Sequence, residues 1–474
     1  MSHPQHGDRT APRARRAVVL GGGMAGMLAA AVLADHVGEV VVVERDRLPA
    51  RALARPGLPQ ARHAHLLMSG GARTVESLLP GTLGRWVAAG ARRIAMPADL
   101  VALSPPGWLP RRPEMQFMVA CTRDLLDLVV REQVLARPRV TLRDGTESLA
   151  LLGGPGRITG VRIRAAGAAK DEELPAGLVV DASGRGSGAV HRLAGLGLPA
   201  VREQTVDSGL VYATRIFRAP PGAEDFPVVS VQPDSRVPRP GQAATLMPVE
   251  GGRWLVTVSG TRGGEPTRRT EDFEPFARGL RHPLVADLIA RAEPLTEVHL
   301  TRSTVNRRRF YECLPAWPEG FVVLGDALAT FNPIYGQGMS VAAQGAAGLR
   351  EILRRRGADA PGLAREAQRA VARATAGAWD LSTGEDINYP GAIGARPPLP
   401  ARLLSGYFTR MLRASVVDPV VMRALMAVMT LSAPMNALIR PEVVVAVLRA
   451  TGRPVRPGPT LTAEERTRAG MAPH

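Results

Sequence analysis

The sequence predicts an α/β fold: a parallel-sheet core assembled from separate stretches of chain, a mostly antiparallel β-sheet inserted into it, and helices at the C-terminal end. Three observations predict this. Ala17 to Glu44 reads as strand, glycine turn, helix, strand. Two later apolar runs, Leu178 to Asp181 and Phe321 to Leu324, end in small-residue turns of the same kind. Between them, Val201 to Leu300 changes to extended, β-branched runs broken by Pro and Gly. Strands buried on both faces read as short continuous apolar runs, and this difference in pattern separates the parallel core from the antiparallel insert.

Met1 to Arg15 is polar, so residues 1–15 are expected to form a disordered tail. Ala17 to Leu20 is the first strand. Gly21, Gly23 and Gly26 follow as G-x-G-x-x-G, the spacing needed for a tight turn, a close backbone approach to a pyrophosphate and close packing of helix on strand. The helix opening at Met24 and Ala25 aims its N–H groups and partial positive charge at that pyrophosphate. Val40 to Val43 is the next strand and runs into Glu44 and Arg45. Glu44 lies 18 residues beyond the last glycine, where a carboxylate can grip ribose hydroxyls. A buried helix packed through small residues would explain the glycines but not the placement of Glu44.

Three consecutive glycines and the polar break at Asp35 and His36 argue against reading this apolar segment as a signal peptide or membrane span. Cys121 and Cys313 are too few and too far apart for a metal site or a disulfide framework. A reducing cytoplasm is the expected location, with no metal and no transmembrane segment. With 474 residues and 45% hydrophobic content, the chain can bury a large core in two or three subdomains. Its net charge of +17 is carried by arginine, because Lys170 is the only lysine. The base composition of a gene can produce such a bias; the functional reading is attraction to an anionic cofactor, a carboxylate substrate or an acidic carrier protein. Nucleic acid is excluded as a partner, since the arginines are scattered and aromatics are only 4%. The runs Arg307 to Arg309 and Arg354 to Arg356 read as solvated faces.

Farther on, Thr122 to Val134 has apolar residues at helical spacing (Leu125, Leu128, Val129), and strand-like Val140 to Arg143 and Ile158 to Arg164 follow. VYATRIF, FPVVSV, ATLMPV and RWLVTVSG supply the antiparallel sheet. Two motifs then turn a dinucleotide site into one for FAD. LVVDASGRGS, Leu178 to Ser187, is a strand ending in Asp181 and a small-residue turn. FVVLGDALATFNPIYGQGM, Phe321 to Met339, runs a strand into Gly325 and Asp326, and then a loop through Pro333, Gly336, Gln337 and Gly338 opens a helix at Met339. A carboxylate at Asp326 can bond a ribityl chain, and a glycine-rich helix N-terminus can stabilise the anion of reduced flavin. Each motif alone is an ordinary strand-to-helix turn. A nicotinamide enzyme would not need a second site so far from the first.

These residues resemble the class A flavoprotein monooxygenases with a p-hydroxybenzoate-hydroxylase-like fold. The resemblance covers about residues 16 to 355 and rests on GGGMAG, Glu44, Arg123 and Leu126 of CTRDLL, DASGRGS, GDA and PIYGQGM. It implies a Rossmann-like FAD-binding domain of the p-hydroxybenzoate hydroxylase and glutathione reductase type, made of 16–85, 113–200 and 301–356. It further implies a substrate-binding sheet domain of 86–112 and 201–300, followed by a C-terminal helical region over 357–451. Residues 452–474, rich in proline and charge, are expected to be a disordered tail. By the same resemblance Gly21, Gly23 and Gly26 serve the pyrophosphate, Glu44 the adenosine ribose, Arg123 the phosphate and ribityl region, Asp326 the ribityl chain, and Gly336 to Met339 the isoalloxazine. One departure matters: the family's second motif usually begins Asp-Gly, and here Ala182 follows Asp181, which leaves the nicotinamide contact open.

Within that family, PQARHAHLLMSGGAR, VDSGLVYATR and RWLVTVSGTRGGEP are similar to the flavin-dependent epoxidases of polyether ionophore biosynthesis, of the monensin and lasalocid type. That resemblance implies epoxidation of alkenes of a linear polyene polyketide through a flavin C(4a)-hydroperoxide, in antibiotic biosynthesis. Dioxygen is the cosubstrate, and NADPH, NADH or a separate flavin reductase supplies electrons. The apolar substrate would arrive as a carboxylate or on an acyl carrier protein. An alkene brings no proton to remove, so such a site needs positioning and water exclusion more than a base. Arg62 and His63 are candidates for the flavin phosphate or ring edge, with a structural histidine as the equal alternative. His65, Tyr212, Met247 and Phe331 are candidates for the substrate pocket, core packing being the alternative for Tyr212. The methionine-rich stretch Ala401 to Ala450 reads as helices capping the core, as an adaptable face for a long apolar ligand, or as a peripheral membrane contact. A flavin halogenase is disfavoured by the absence of W-x-W-x-I-P and by the exposed setting of Lys170. An aromatic hydroxylase, a flavin-linked reductase of isoprenoid double bonds and a non-catalytic flavin-binding protein are the competing readings.

Overall fold

The computed structural model describes residues 16–396, 405–450, 455 and 457–471. The disorder expected for residues 1–15 lies outside these. A five-stranded parallel sheet runs in the order Phe321–Val323, Leu178–Asp181, Ala17–Leu20, Val40–Val43, Val140–Arg143. The first four are buried along their whole length, which is why they read as unbroken apolar runs. Register levels their carboxyl ends: Leu20 lies opposite both Asp181 and Val43, and Asp181 opposite Val323. Gly21, Glu44, Ala182 and Leu324 therefore leave the sheet side by side.

The helix Met24–Ala34 is apolar on every side and buries 10 of its 11 residues. Arg123–Leu135 and Gly338–Arg356 flank it, and Leu363–Asp386 packs on the latter. The opposite face of the sheet is covered by three antiparallel strands, Thr146–Gly154, Arg157–Ala165 and Glu172–Pro175, through Ile158, Val161 and Ile163. This is the layering of the FAD-binding fold that the resemblance implies.

What binds helix to sheet is backbone proximity. Gly21 has φ +100°, and a Cβ there would lie 2.5 Å from the Ala182 carbonyl oxygen. A Cβ on Gly26 would lie 1.8 Å from the Gly21 carbonyl oxygen. Neither position accepts a side chain without moving the strand or the helix.

The second domain is a seven-stranded sheet in the order His299–Thr301, Val211–Arg218, Arg253–Gly260, Gln242–Val249, Val228–Val231, Leu100–Ser104, Gly107–Trp108. It is antiparallel throughout except where Val228–Val231 runs parallel to Leu100–Ser104. The short helices Phe273–Arg278 and Leu284–Ile289 cover one face. The other face meets a three-stranded sheet of Leu66–Met68, Gln116–Ala120 and Arg92–Met96. A small sheet pairs Glu203–Asp207 with Asn306–Arg309 and links the two domains.

Ser405–Ser415, Pro419–Met429 and Pro441–Arg449 form a helical cluster with its own apolar centre. Pro419 stands in the first turn of its helix, capped by Asp418, so it starts the helix instead of interrupting it. Among the described residues no helix is long and apolar enough to cross a membrane, and no group of His, Cys, Asp and Glu could hold a metal. The disordered tail expected over 452–474 is corrected for 457–471. Ala463–Arg468 is a helix with a capping box between Thr462 and Glu465. Glu465 pairs with Arg111 at 2.6 Å, and Leu461 and Ala469 are buried in the core of the sheet domain. With only six helical residues, the segment has too little apolar periodicity to be seen in the sequence.

The glycine contacts give a direct stability comparison. Gly26→Ala is expected to lose ~3 kcal/mol or more in urea denaturation, because a backbone atom blocks the new methyl. Gly84→Ala, in the helix Thr82–Ala88 with nothing within 4 Å of the added Cβ, is expected to gain about 0.5–1 kcal/mol.

Candidate functional site: a dinucleotide groove along the carboxyl edge of the sheet

The level strand ends place one motif beside the next. At the first, Gly23 differs from Gly21 and Gly26: only the Arg55 Nη2, at 3.5 Å, lies near its missing Cβ. The first-turn N–H groups at Met24 and Ala25 have no partner within the helix, and the open flank of Gly23 lets an anion approach them. Glu44 is 9% exposed; its carboxylate accepts from the Gly22 N–H at 2.6 Å and the Asp46 N–H at 2.9 Å. Arg55, which no sequence motif marks, pairs with Glu44 at 3.1 Å and lies 3.6 Å from Asp46. Arg45 is exposed beside Glu44.

The third motif reaches the same point. Gly325 has φ +65°, and a Cβ on it would sit 2.7 Å from that of Ala25, so glycine alone lets the Gly325–Ala327 turn close on the first helix. Asp326 is thereby held beside the helix N-terminus. Its carboxylate makes no hydrogen bond among the described residues. Burial pushes its carboxyl above the ordinary range, against the pull of Arg185, Arg123 and Arg307. Arg123 opens a helix capped by Thr122, and its Nε donates to Asp127 at 2.9 Å. Arg185, from the DASGRGS turn, is a second arginine that the motif reading did not single out. Asp181 needs correction as a cofactor residue: fully buried, it accepts from the Ser183 N–H at 3.0 Å and the Ser187 hydroxyl at 2.9 Å. It shapes the turn that carries Arg185.

Next comes the loop Asn332 to Gly338. Asn332 accepts the Ile334 N–H at 3.2 Å, capping the single turn Pro333–Tyr335. Gly336 turns the chain with φ +63°, and its missing Cβ would lie 3.2 Å from Met68 Cε. Gln337 is 1% exposed, yet its Nε2 has no partner among the described residues. Nothing lies within 4 Å of a Cβ on Gly338, and Met339, buried in the core, fixes the start of the helix.

The RHAH segment lies between the domains. Thr257 Oγ1 accepts the Ala64 N–H at 3.1 Å and is 2.7 Å from Thr214 Oγ1, which is 2.7 Å from His63 Nδ1. His63, Thr214 and Thr257 are thus joined in one buried chain whose direction follows the tautomer of the ring. His65 Nδ1–H donates to the His63 carbonyl at 2.8 Å, leaving its Nε2 as an acceptor. Burial, with His299 and Arg62 adding, lowers the His63 pKa to about 4. Burial, then Arg123, lowers that of His65 to about 3. Arg62 itself is exposed, 3.3 Å from His299 Nδ1 on the sheet domain.

Of the pocket candidates, Tyr212 is buried and donates to Asn332 Oδ1 at 3.0 Å. Met247 joins Met68, Met96, Met118 and Met426 in an apolar cluster between the sheets. Phe331 packs instead into the core of the first domain, because the strand Ala329–Thr330 pairs with Arg307 and Arg308 and turns it inward.

The donor set fits a flavin dinucleotide: an open glycine at a helix start, a carboxylate without a hydrogen-bond partner among the described residues, and a buried amide with unused hydrogens. The family model for the FAD binding domain matches residues 15–360, and the chain belongs to that family, whose architecture here is the p-hydroxybenzoate hydroxylase type. FAD is its cofactor. Among individual relatives, Protein Rv3254 of Mycobacterium tuberculosis (strain ATCC 25618 / H37Rv) is 31% identical over 427 residues, covering 85% of this chain and 87% of that one. A flavoprotein/dehydrogenase structure from Cytophaga hutchinsonii has a TM-score of 0.62 at 14% identity, covering 92% and 98% of the two chains. That of pqsL, a probable FAD-dependent monooxygenase from Pseudomonas aeruginosa, has 0.57 at 21%, covering 85% and 99%. At these identities the structures speak for the fold alone.

Gly23→Val and Asp326→Ala are each expected to purify folded but colourless; a full complement of FAD in either would remove that residue from the site. The histidines predict a pH dependence. In the unfolded chain His63 takes up its proton near the ordinary 6.5, and in the folded protein only near 4. Its contribution is therefore complete above about pH 6.5 and is lost as pH falls toward 4, by ~3 kcal/mol. Urea midpoints between pH 7.5 and 4.5 are expected to fall more steeply for the wild type than for His63→Gln.

Proposed function

We propose that the protein is an FAD-dependent monooxygenase that epoxidises alkenes of a long apolar substrate, a linear polyene polyketide of the kind oxidised in polyether antibiotic biosynthesis. The observation that carries this reading is the methionine cluster. Met68, Met96, Met118, Met247 and Met426 come from four strands and one helix and pack between the two sheets, and Met68 reaches the loop at Gly336. Unbranched thioether side chains re-pack around flexible apolar chains at little cost, so this cluster suits a polyene better than a rigid ring.

The bases also point this way. A phenol must be deprotonated to become a good nucleophile, and the histidines and tyrosines near the loop are poor at that task. His63 and His65, at about 4 and about 3, are weak bases near neutral pH. Burial raises the hydroxyls of Tyr212 and Tyr335 well above the usual phenol range. An alkene needs no such help.

When bound and reduced, FAD activates dioxygen and supplies an electrophilic oxygen. The chain's own work is to hold and to exclude. Gly21, Gly23 and the first helix receive the pyrophosphate, Glu44 the adenosine ribose, and Asp326 with Arg123 the ribityl end. The N–H groups around Gly338 would hold the flavin ring, and the apolar cluster would keep water from it. NADPH, NADH or a partner reductase supplies electrons. The arginine excess favours a substrate presented as a carboxylate or on an acidic acyl carrier protein.

Incubation with FAD, a reductant, a linear polyene and isotopically labelled dioxygen is expected to place one labelled oxygen in each epoxide. Label from water, or a phenolic product formed faster than any epoxide, would overturn the reading. Met247→Phe is expected to change which alkenes react, read by product mass, while FAD content stays that of the wild type.

A further inference from the structure

The helix Leu363–Asp386 lies beyond the residues that the family model matches, and it ends on a carboxylate that no motif announces. Asp386 is 1% exposed. Its Oδ2 accepts from Asn306 Nδ2 at 2.6 Å and Asn332 Nδ2 at 2.9 Å. Its Oδ1 accepts from the Tyr335 hydroxyl at 2.7 Å, and Ser208 adds another hydrogen bond. Asn332 extends the network: its N–H donates to Asn306 Oδ1 at 2.7 Å, and its Oδ1 accepts from Tyr212. The donors come from the strand Asn306–Arg309, from the loop that opens the Gly338 helix, and from the approach to the sheet-domain strand Val211–Arg218.

Burial raises the carboxyl of Asp386, and the hydrogen bonds from Asn332, Tyr335, Asn306 and Ser208 work against that. Several donors converging on two oxygens define a carboxylate site; an amide there would turn its own hydrogens toward some of them. A buried charge is a poor way to stabilise a helix end, because desolvation works against it. What it does well is fix direction, since every donor must point at one place.

We propose that Asp386 is a positioning residue for the cofactor: through Asn332 and Tyr335 it sets the loop Asn332–Gly338 against the flavin, and through the same Asn332 it registers that loop to Tyr212 of the substrate sheet. The proposal rests on the reading that this loop meets the flavin. It assigns a role in cofactor geometry to a helix outside the nucleotide-binding motifs.

The test compares Asp386→Asn with the double variant that also carries Asn332→Asp, so that amide and carboxylate trade places. In this exchange the carboxylate placed at position 332 still accepts from Tyr212 and the Ile334 N–H, and it gains the amide placed at position 386 as a donor. Each protein is freed of FAD, titrated with FAD by quenching of flavin fluorescence, and melted with circular dichroism as the readout. Asp386→Asn is expected to raise the Kd for FAD tenfold or more and to shift the visible dichroism of the bound flavin, while melting stays cooperative; the exchange is expected to restore both. A merely structural Asp386 would lower the melting temperature and leave the Kd and the flavin spectrum of the folded protein unchanged, and that result overturns the proposal. Should Asp386→Asn not fold, Tyr335→Phe, which removes a single donor, is expected to raise the Kd a few-fold with the same spectral shift. An unchanged Kd and spectrum there would overturn it equally. If Gly23→Val abolishes binding while these variants bind normally, the flavin reading stands and only the role of Asp386 falls.

Discussion

The architecture depends on one close approach, that of the first helix to the first strand. A Cβ on Gly26 would stand 1.8 Å from the carbonyl oxygen of Gly21. Because both are glycines, the helix starts directly above the strand end and aims its free N–H groups along the carboxyl edge of the sheet. Gly325 repeats the device from the other side, bringing the Asp326 turn against Ala25. Level strand ends then bring three motifs far apart in sequence to one edge of the sheet. The charge pattern follows: Glu44 at one end, Arg123, Arg185 and Asp326 at the other, and helix N-termini between.

The parts of this plan that rest on backbone constraints were legible in the sequence. Glycines at fixed spacing, an acid at a fixed distance and apolar strands with no polar interruption are each demanded by geometry, so they leave a mark. The antiparallel sheet was legible for a similar reason, since its long strands carry β-branched residues in runs between turn signals. Arg55 and Asp386 were not legible. Each acts through partners that only folding brings near, Glu44 and Asp46 for one, Asn306 and Asn332 for the other, and neither has a characteristic spacing from them. Asp181 misled for the converse reason: its place at a strand end imitates a ligand-facing acid, but Ser183 and Ser187 in the same turn occupy its oxygens. Phe331 misled because proximity in sequence to the Gly336 loop does not set the side to which a ring turns.

Between the two sheets, polar and apolar requirements are kept apart. His63, Thr214 and Thr257 form a buried chain of hydrogen bonds that holds the segment in place. The methionine cluster beside it has no directional bonds and can rearrange. A fixed hydrogen-bonded segment thus lies beside a compliant apolar wall.

The two largest apolar cores are not contiguous in sequence. The core of the first domain draws on residues from Ala17 to Trp379, and that of the sheet domain on residues from Val101 to Ala469. Leu461 and Ala469 close the second from the far end of the chain, held by Arg111 and Glu465. During synthesis neither core can be completed until most of the polypeptide has left the ribosome, so native contacts of long sequence separation must form late and together. Folding of this kind is slow, and it leaves the strand edges uncovered in the meantime. The yield of active protein from a cell will then be governed by the rate of elongation and by chaperone supply as much as by the stability of the finished fold.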